Sequence, residues 1–523
     1  MKIFIIVFLN IKMHWADKVA DDLLRRGEKQ VIETGTSISG VPHIGNASDV
    51  IRGDAIRKAL CDRGIKAKFL WVADDSDPFR KIPRGMEKLK DYLGYPVKDI
   101  PDPDGCHENF VDHFALPFIR DLSEFGVTPK ILSATKLYRS GEFYDKIKIA
   151  LENRHKIIEI LNKFRREPLP DSFIPWSPIC ENCGKISTAK SIGWDGNNII
   201  NYVCEHTEVS GGMVDGCGHT GESDIRKGYG KLPWRAEWAM RWSHFNVTCE
   251  PLGKEHASSG GSFWTSKIVC KDVFGWNAPM PVIYEFFTLN GEKISSSKGN
   301  VITLSDWLKL SEPEVLKAFM YKVLKKQRDI DLEKVSNMTD EYDEFESIYF
   351  GIKQGDEKLK RLYELSQIGD VKKLQVPFTM CAVLSQIPNI DTKEIARRLN
   401  NLGYENFDEE RLDKRLKFAN NWVMNYGPDF LRFTLLEDTS GIVLSDLQKK
   451  GLNMLADELI KNLTSKELHV KIYEVARGVG LEPPELFDAI YLSLIGKLKG
   501  PRAGYFLIAL DRDFVVERFR SFV

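Results

Sequence analysis

The amino-acid sequence predicts an α/β protein: a parallel sheet flanked by helices, interrupted by an insertion and followed by a helical half. Three observations predict it. A β-prone run, a glycine-containing loop and a helix-patterned segment follow one another over residues 30–64. A second β-prone run, 67–72, ends in two carboxylates, Asp74 and Asp75. From about residue 301 onward, helical periodicity dominates.

The elements follow in order. The first twelve residues, MKIFIIVFLNIK, are apolar but shorter than the ~20 residues that cross a bilayer, and no small-residue cleavage site follows. They read as an extension from a start assigned too early, with Met13 as the start. An acidic amphipathic helix is expected over 16–26. Residues 30–34 form a strand through Val31, Ile32 and Thr34; Gly35, Gly40 and Pro42 make a loop; His43-Ile44-Gly45-Asn46 opens a helix. Ala47, Val50, Ile51, Ala55, Ile56, Ala59 and Leu60 recur at helical spacing, and Gly64 ends it. A helix start after a strand offers unpaired N–H groups and a positive dipole end to phosphates. Gly45 would let an adenine ring approach the backbone. Carboxylates at the end of the 67–72 strand face the usual ligand crevice of a parallel sheet. This is half of a Rossmann-type sheet.

Residues 101–225 are rich in Pro, Gly, Cys and His, with helices expected over 110–125 and 144–164. The sheet resumes near Trp234, through Pro251-Leu252-Gly253-Lys254-Glu255-His256. Next comes LNGEKISSSKGN, residues 289–300. Asn290-Gly291 is a turn signal. Lys293 and Lys298 flank Ser295, Ser296 and Ser297. Two ammonium groups with hydroxyl donors suit a leaving pyrophosphate, whose charge grows as an α-phosphate is attacked. Beyond this, 315–326 reads as a basic amphipathic helix and 476–498 as two short helices.

Composition narrows the class. The chain has 523 residues, enough for several domains, with 43% apolar and 28% charged residues. A net charge of −1 excludes a globally basic polyanion binder, so any RNA contact rests on local charge. Nine cysteines in this length are no disulfide framework, and several sit near histidines; metal binding in a reducing compartment, the cytoplasm, is expected. No other stretch is long and apolar enough to be a membrane span.

Two metal sites are expected. Asp102, Cys106, His107 and His113 fall within twelve residues, with Asp104 an alternative to Asp102. The second is Cys180-x-x-Cys183 with Cys204 and Cys217, a spacing that looks like a zinc ribbon; His206 and His219 compete with Cys217 for the fourth position. Four protein ligands leave no place for substrate, so both sites are read as structural. Cys61, Cys249, Cys270 and Cys381 are read as core residues.

The pattern TGTSISGVPHIGN, the stretch DDSDPFRKIPRG (74–85), the CxxC insertion, WRAEWAMRW (234–242), GKEH (253–256) and KISSSKGN together resemble the class I lysyl-tRNA synthetases. Two departures from the general class I signatures, Asn46 and Ser296 with Lys298 two residues later, are those this family shows. The resemblance runs from about 13 to GKLKGPRAGYFL (496–507).

It implies a class I synthetase Rossmann-type nucleotide-binding domain with a zinc-binding insertion, followed by an all-α C-terminal anticodon-binding region. The implied division is 13–100 and 231–300 for the two catalytic halves, 101–230 for the insertion, 301–355 for a stem-contact region and 356–523 for anticodon binding. The implied reaction activates lysine with ATP and Mg²⁺ and transfers it to the 2′-OH of the terminal adenosine of tRNA(Lys). His43 and Asn46 would hold the nucleotide phosphates, Gly45 the adenine, and His256 the ribose or α-phosphate. Lys293, Ser295, Ser296 and Lys298 would close over pyrophosphate. Gly35 and Ser37 match lysine-binding positions, with Trp234 and Tyr284 as aromatic partners for the lysine stem. Glu33, Asp74, Asp75 and Glu237 are all available to a buried ammonium. Lys499, Arg502, Tyr505 and Phe506 are candidates for holding anticodon bases. A monomer is expected. Two other readings are a sister synthetase such as a glutamyl type, and a catalytically silent RNA-binding protein; intact His43, Lys293 and Lys298 argue against the second.

Overall fold

The computed structural model describes residues 13–294, 300–461 and 463–522. The extension 1–12, and Ser295, Ser296 and Lys298 of the lysine/serine loop, lie outside the described residues. The chain forms two units. The first runs to Ser305 and takes back Leu316–Ile330 and Glu364–Ile368; the second holds Asp306–Val315, Asp331–Tyr363 and the chain from Gly369.

The first unit begins with helix α1 (Trp15–Leu24), strand β1 (Val31–Thr36), helix α2 (Ile44–Cys61) and strand β2 (Lys68–Ala73). Helix α3 (Phe110–Glu124), strand β3 (Lys130–Ser133) and helices α4 (Ala134–Arg139), α5 (Tyr144–Glu152) and α6 (Arg154–Asn162) follow. Short strands come next: β4 (Ser177–Pro178), β5 (Ala189–Trp194), β6 (Ile199–Cys204), β7 (Thr207–Val209), β8 (Gly212–Val214), β9 (Thr220–Asp224) and β10 (Gly230–Lys231). Helix α7 (Trp234–Phe245), strand β11 (Cys249–Gly253), helix α8 (Ser262–Asp272) and strand β12 (Met280–Tyr284) complete the sheet domain.

The central sheet is five-stranded and parallel, in the order β12-β11-β1-β2-β3. The chain builds outward from β1 through β2 to β3, then returns to add β11 and β12 on the other side. The strand order therefore reverses between β1 and β11, and in such sheets ligands bind outside the carboxyl ends at this point. Side chains alternate along β1. Thr34 faces Gly53 of α2, where a Cβ would lie 2.7 Å from the Phe69 ring. Glu33 faces the other layer, where Arg241 of α7 meets it.

Three expectations need correction. Residues 101–230 are not one insertion, because β3 pairs along β2 as the edge of the central sheet; its Lys-Ile-Leu-Ser run was too short to register as a strand. The helix expected over 144–164 is two helices. Asn153 leaves the helical region at φ −101°, ψ 21°, and its side-chain amide donates to Ile149 O at 2.9 Å, competing with the helix ladder. Cys61, read as core, is exposed at the end of α2, whereas Cys249, Cys270 and Cys381 are buried.

The second unit is helical; no strand occurs among its described residues. Its core is pinned by Arg415, fully buried, with Glu312 at 2.7 Å and Asp343 at 2.6 Å. It includes residues 306–315 and 331–363 as well as the chain from Gly369. The stretch expected to be a basic amphipathic helix contains Lys317, which is fully buried in the first unit and bonded to Asp54 and to Phe125 O. No described helix is long and apolar enough to cross a membrane.

Candidate active site

The two strands that flank the switch point each deliver a histidine. β1 leads through the glycine loop to His43, the residue that caps α2. β11 leads to His256, whose Nδ1 lies 3.0 Å from Ser262 Oγ and whose ring meets Trp238 edge-on at 5.5 Å. The chain leaving the lysine/serine loop returns to the same place, because Ile44 N–H at the start of α2 donates to Ile302 O at 2.9 Å. Lys293 is exposed, with its ammonium 5.7 Å from the Phe286 ring.

His43 is half-buried, and its Nδ1 is buried without a hydrogen-bond partner among the described residues. Desolvation lowers its pKa to about 4, so the imidazole is neutral near pH 7. The ring lies over Gly45, where a Cβ would fall 2.7 Å from His43 Cε1. Glycine at 45 therefore makes room first for the histidine of its own motif. Asn46 accepts the His43 backbone N–H at 3.0 Å through Oδ1, which fixes the helix start.

The expected amino-acid pocket divides into two clusters. On one side, Ser37 donates to Asp77 Oδ2 at 3.1 Å, and Trp234 stacks on Trp238 at 4.9 Å. A Cβ on Gly35 would lie 3.2 Å from Val72 O and 3.6 Å from Arg241 Nη2. Trp234 lines a cavity of about 580 Å³ with Asp77, Arg80, Trp176 and Lys231. Tyr284 belongs to the other cluster. Its hydroxyl donates to Asp49 Oδ1 at 2.7 Å, and the buried Arg52 guanidinium covers its ring at 4.3 Å. Burial pushes Asp49 up to about 7.

Three charged residues here escaped the sequence reading: Arg241, Lys231 and Asp77. Arg241 was within reach, because Trp234, Trp238 and Arg241 recur at i, i+4, i+7 and share one helix face. Lys231 and Asp77 carried no local signal, since they meet only through the fold.

Both expected metal clusters converge. Cys180 and Cys217 sulfurs are 3.7 Å apart, and Cys183 and Cys204 sulfurs 3.6 Å. A zinc–sulfur bond of ~2.3 Å gives a tetrahedron edge of ~3.8 Å, so the four thiols fit zinc. His206 instead pairs with Asp215 and His219 with Glu181, each at 2.9 Å. In the second cluster Cys106 Sγ lies 3.0 Å from His107 Nδ1 and 3.3 Å from His113 Nδ1, and Asp102 Oδ2 lies 3.5 Å from the sulfur. Asp104 lies 3.7 Å from His113 Nε2 and 3.5 Å from Lys88 Nζ.

In the second unit, Phe506 corrects the expected anticodon set. It is fully buried against Phe433 at 5.0 Å, because its helix (Ala503–Ala509) packs that face inward. Lys499 and Arg502 are exposed, and Arg502 lies over the half-buried Tyr505 at 5.6 Å.

The comparisons agree with this architecture. A family model described as tRNA synthetases class I (K) matches residues 13–369. A protein named lysine–tRNA ligase from Methanosphaera stadtmanae is 38% identical over 97% of this chain and 99% of its own length. Proteins of the same name from Methanocaldococcus jannaschii and Pyrococcus horikoshii are each 38% identical, over 98% and 97% of this chain and 100% and 99% of their own. This chain belongs to the class I (K) tRNA synthetases.

Proposed function

We propose that this chain is an ATP-dependent lysine–tRNA ligase whose chemistry takes place at the crevice between β1 and β11. The lysine carboxylate attacks the α-phosphate of ATP, and pyrophosphate leaves as lysyl-adenylate forms. The 2′-OH of the terminal adenosine of tRNA(Lys) then attacks the activated carbonyl, giving the lysyl ester and AMP. The observation that carries the reading is that β1 leads to His43 at the start of α2 and β11 to His256, from the two strands that flank the switch point of a parallel sheet.

His43, neutral near pH 7 at the start of α2, is the group that meets a phosphate oxygen. Asn46 keeps its Oδ1 for the helix start and has its amide NH₂ for the nucleotide. His256 contacts the ribose or α-phosphate side, and Gly45 admits the adenine beside the His43 ring. Lys293, Ser295, Ser296 and Lys298 close over pyrophosphate. Mg²⁺ bound to ATP would neutralise phosphate charge as the leaving group departs. No side chain is needed as a general base: the work is positioning and charge stabilisation. Gly35, Ser37 and Trp234 form the lysine side of the site. Tyr284, held by Asp49 and Arg52, supports the other wall. The helical unit takes the anticodon arm, with Lys499, Arg502 and Tyr505 as the contact residues.

Charging of total tRNA with labelled lysine, beside labelled glutamate and an ATP-free control, tests the reading. ATP-dependent lysine charging is expected. Glutamate charging would move the chain to a sister enzyme, and tRNA binding without charging would favour the silent reading.

Zinc closes both ligand clusters in this proposal, as a structural ion. Metal analysis is expected to find about two zinc ions per chain, and Cys183→Ser to lose one of them. Chelation is expected to lower the unfolding temperature. Zinc-free native protein would remove both sites.

A further inference from the structure

Between β1 and α7 lies a cluster with more acid than base. Glu33, Asp74 and Glu237 are buried, and Asp77 is partly so; the cations are Arg241 and Lys231, also buried. Arg241 bonds to Asp74 and sets its Nε 3.1 Å from Glu33 Oε1. Lys231 bonds to Asp77 and lies 2.8 Å from Glu237 Oε2. Four carboxylates thus face two buried cations, with the exposed Arg80 beside Asp77 at the cavity wall. Glu250, next to the cluster, is already satisfied by the indole N–H of Trp238 at 2.9 Å and by that of Trp242.

The four carboxylates open to a substrate ammonium are not equivalent. Asp75 accepts from Ser133 Oγ at 2.5 Å and from Thr135 N–H at 2.7 Å, and Asp74 is bonded to Arg241. Glu33 and Glu237 differ. Among the described residues neither oxygen of either one has an aligned hydrogen-bond donor beyond the ion pairs with Arg241 and Lys231, although both residues are fully buried. Leaving buried carboxylates in this condition is costly, and burial raises both toward the protonated form, Glu33 to about 7. A third cation would relieve both.

Glu237 is the one within reach. Lys231, which touches it, lines the 580 Å³ cavity beside Trp234. Trp234 is one turn before Glu237 on α7, so the two side chains share a helix face.

Resting on the lysine reading above, we propose that Glu237, backed by Glu33, is the anionic anchor for the side-chain ammonium of lysine, reached across the Trp234 ring. The ammonium is the cluster's missing cation. It supplies aligned donors to Glu237, while Lys231 keeps Asp77 and its ion pair with Glu237. Selectivity follows from the same feature: an amino acid of equal stem without the ammonium would leave the acid excess of the cluster as it stands.

The test compares lysine with L-norleucine, which is lysine without the ε-amino group, in wild type, Glu237→Gln and Glu237→Asp. For Glu237→Gln we expect the KM for lysine in tRNA charging to rise about 10²-fold. KM for ATP, and inhibition by norleucine, should stay within about twofold, so that discrimination between the two amino acids collapses. Glu237→Asp should recover part of the lysine KM. A Glu237→Gln enzyme with lysine KM within threefold of wild type overturns the proposal. So does an equal loss toward lysine, norleucine and ATP, which marks a purely structural role. If Glu237→Gln does not fold, Glu237→Asp decides: an unchanged ratio of lysine to norleucine affinity overturns the proposal. Failure of the wild type itself to charge lysine would instead sink the lysine–tRNA ligase reading.

Discussion

Replacing His43 with alanine is expected to slow lysyl-adenylate formation about 10²–10³-fold, the usual loss for one donor aimed at developing charge. The effect should appear in kcat, with tRNA affinity close to wild type. Stability should change little, because Asn46, which holds the start of α2 through the His43 backbone N–H, is retained. With its pKa lowered to about 4, His43 stays neutral down to about that pH, so it should contribute no acid limb to the rate near pH 6. Single-turnover adenylate formation, followed from pH 5 to 8, checks both points. Activity within threefold of wild type would rule out contact between this histidine and the reacting phosphate.

Replacing Arg241 with alanine is expected to destabilise the fold by about 3–5 kcal/mol, because it strands Glu33 and Asp74 without their cation inside the sheet–helix layer. Thermal unfolding at pH 7.5 measures this. The pH dependence carries the mechanism. Burial raises the Glu33 pKa to about 7, and in the folded chain Arg241 is a principal influence lowering it. A group raised in the folded state stabilises at low pH and loses that contribution as pH rises through its folded pKa. The wild type should therefore lose this contribution as pH climbs from about 5 to above 7. In the variant the folded pKa moves higher, so part of the lost stability should return on acidification toward pH 5. A loss below about 1 kcal/mol at pH 7.5 would mean that Glu33 and Asp74 do not depend on Arg241 inside this layer.

The local elements were legible where one short stretch carries the whole signal. The periodic alanines and branched residues after His43 marked α2, and Asn46 three residues after the cap is itself the capping residue. The CxxC spacing and the tight Asp102–His113 run marked both ligand clusters, since ligands close in sequence need little fold to meet. β3 and the break at Asn153 were not legible. A four-residue edge strand is fixed by pairing with β2, and one asparagine's hydrogen bond outweighs the helical pattern around it.

The sequence by itself determined the family, the order of the sheet domain and the helical half, and the identity of the motif residues, because these depend on periodicity and on residues adjacent in the chain. Only the tertiary structure decided which charges share a site. Phe506 looked available for stacking and is core, and Lys317, in a basic stretch of the chain, is buried beside Asp54. Lys231 meets Asp77 across 154 residues, and Arg241 meets Asp74 across 167. In a buried layer the free energy of each carboxylate is set by the cations the fold brings to it, and no spacing along the chain records that.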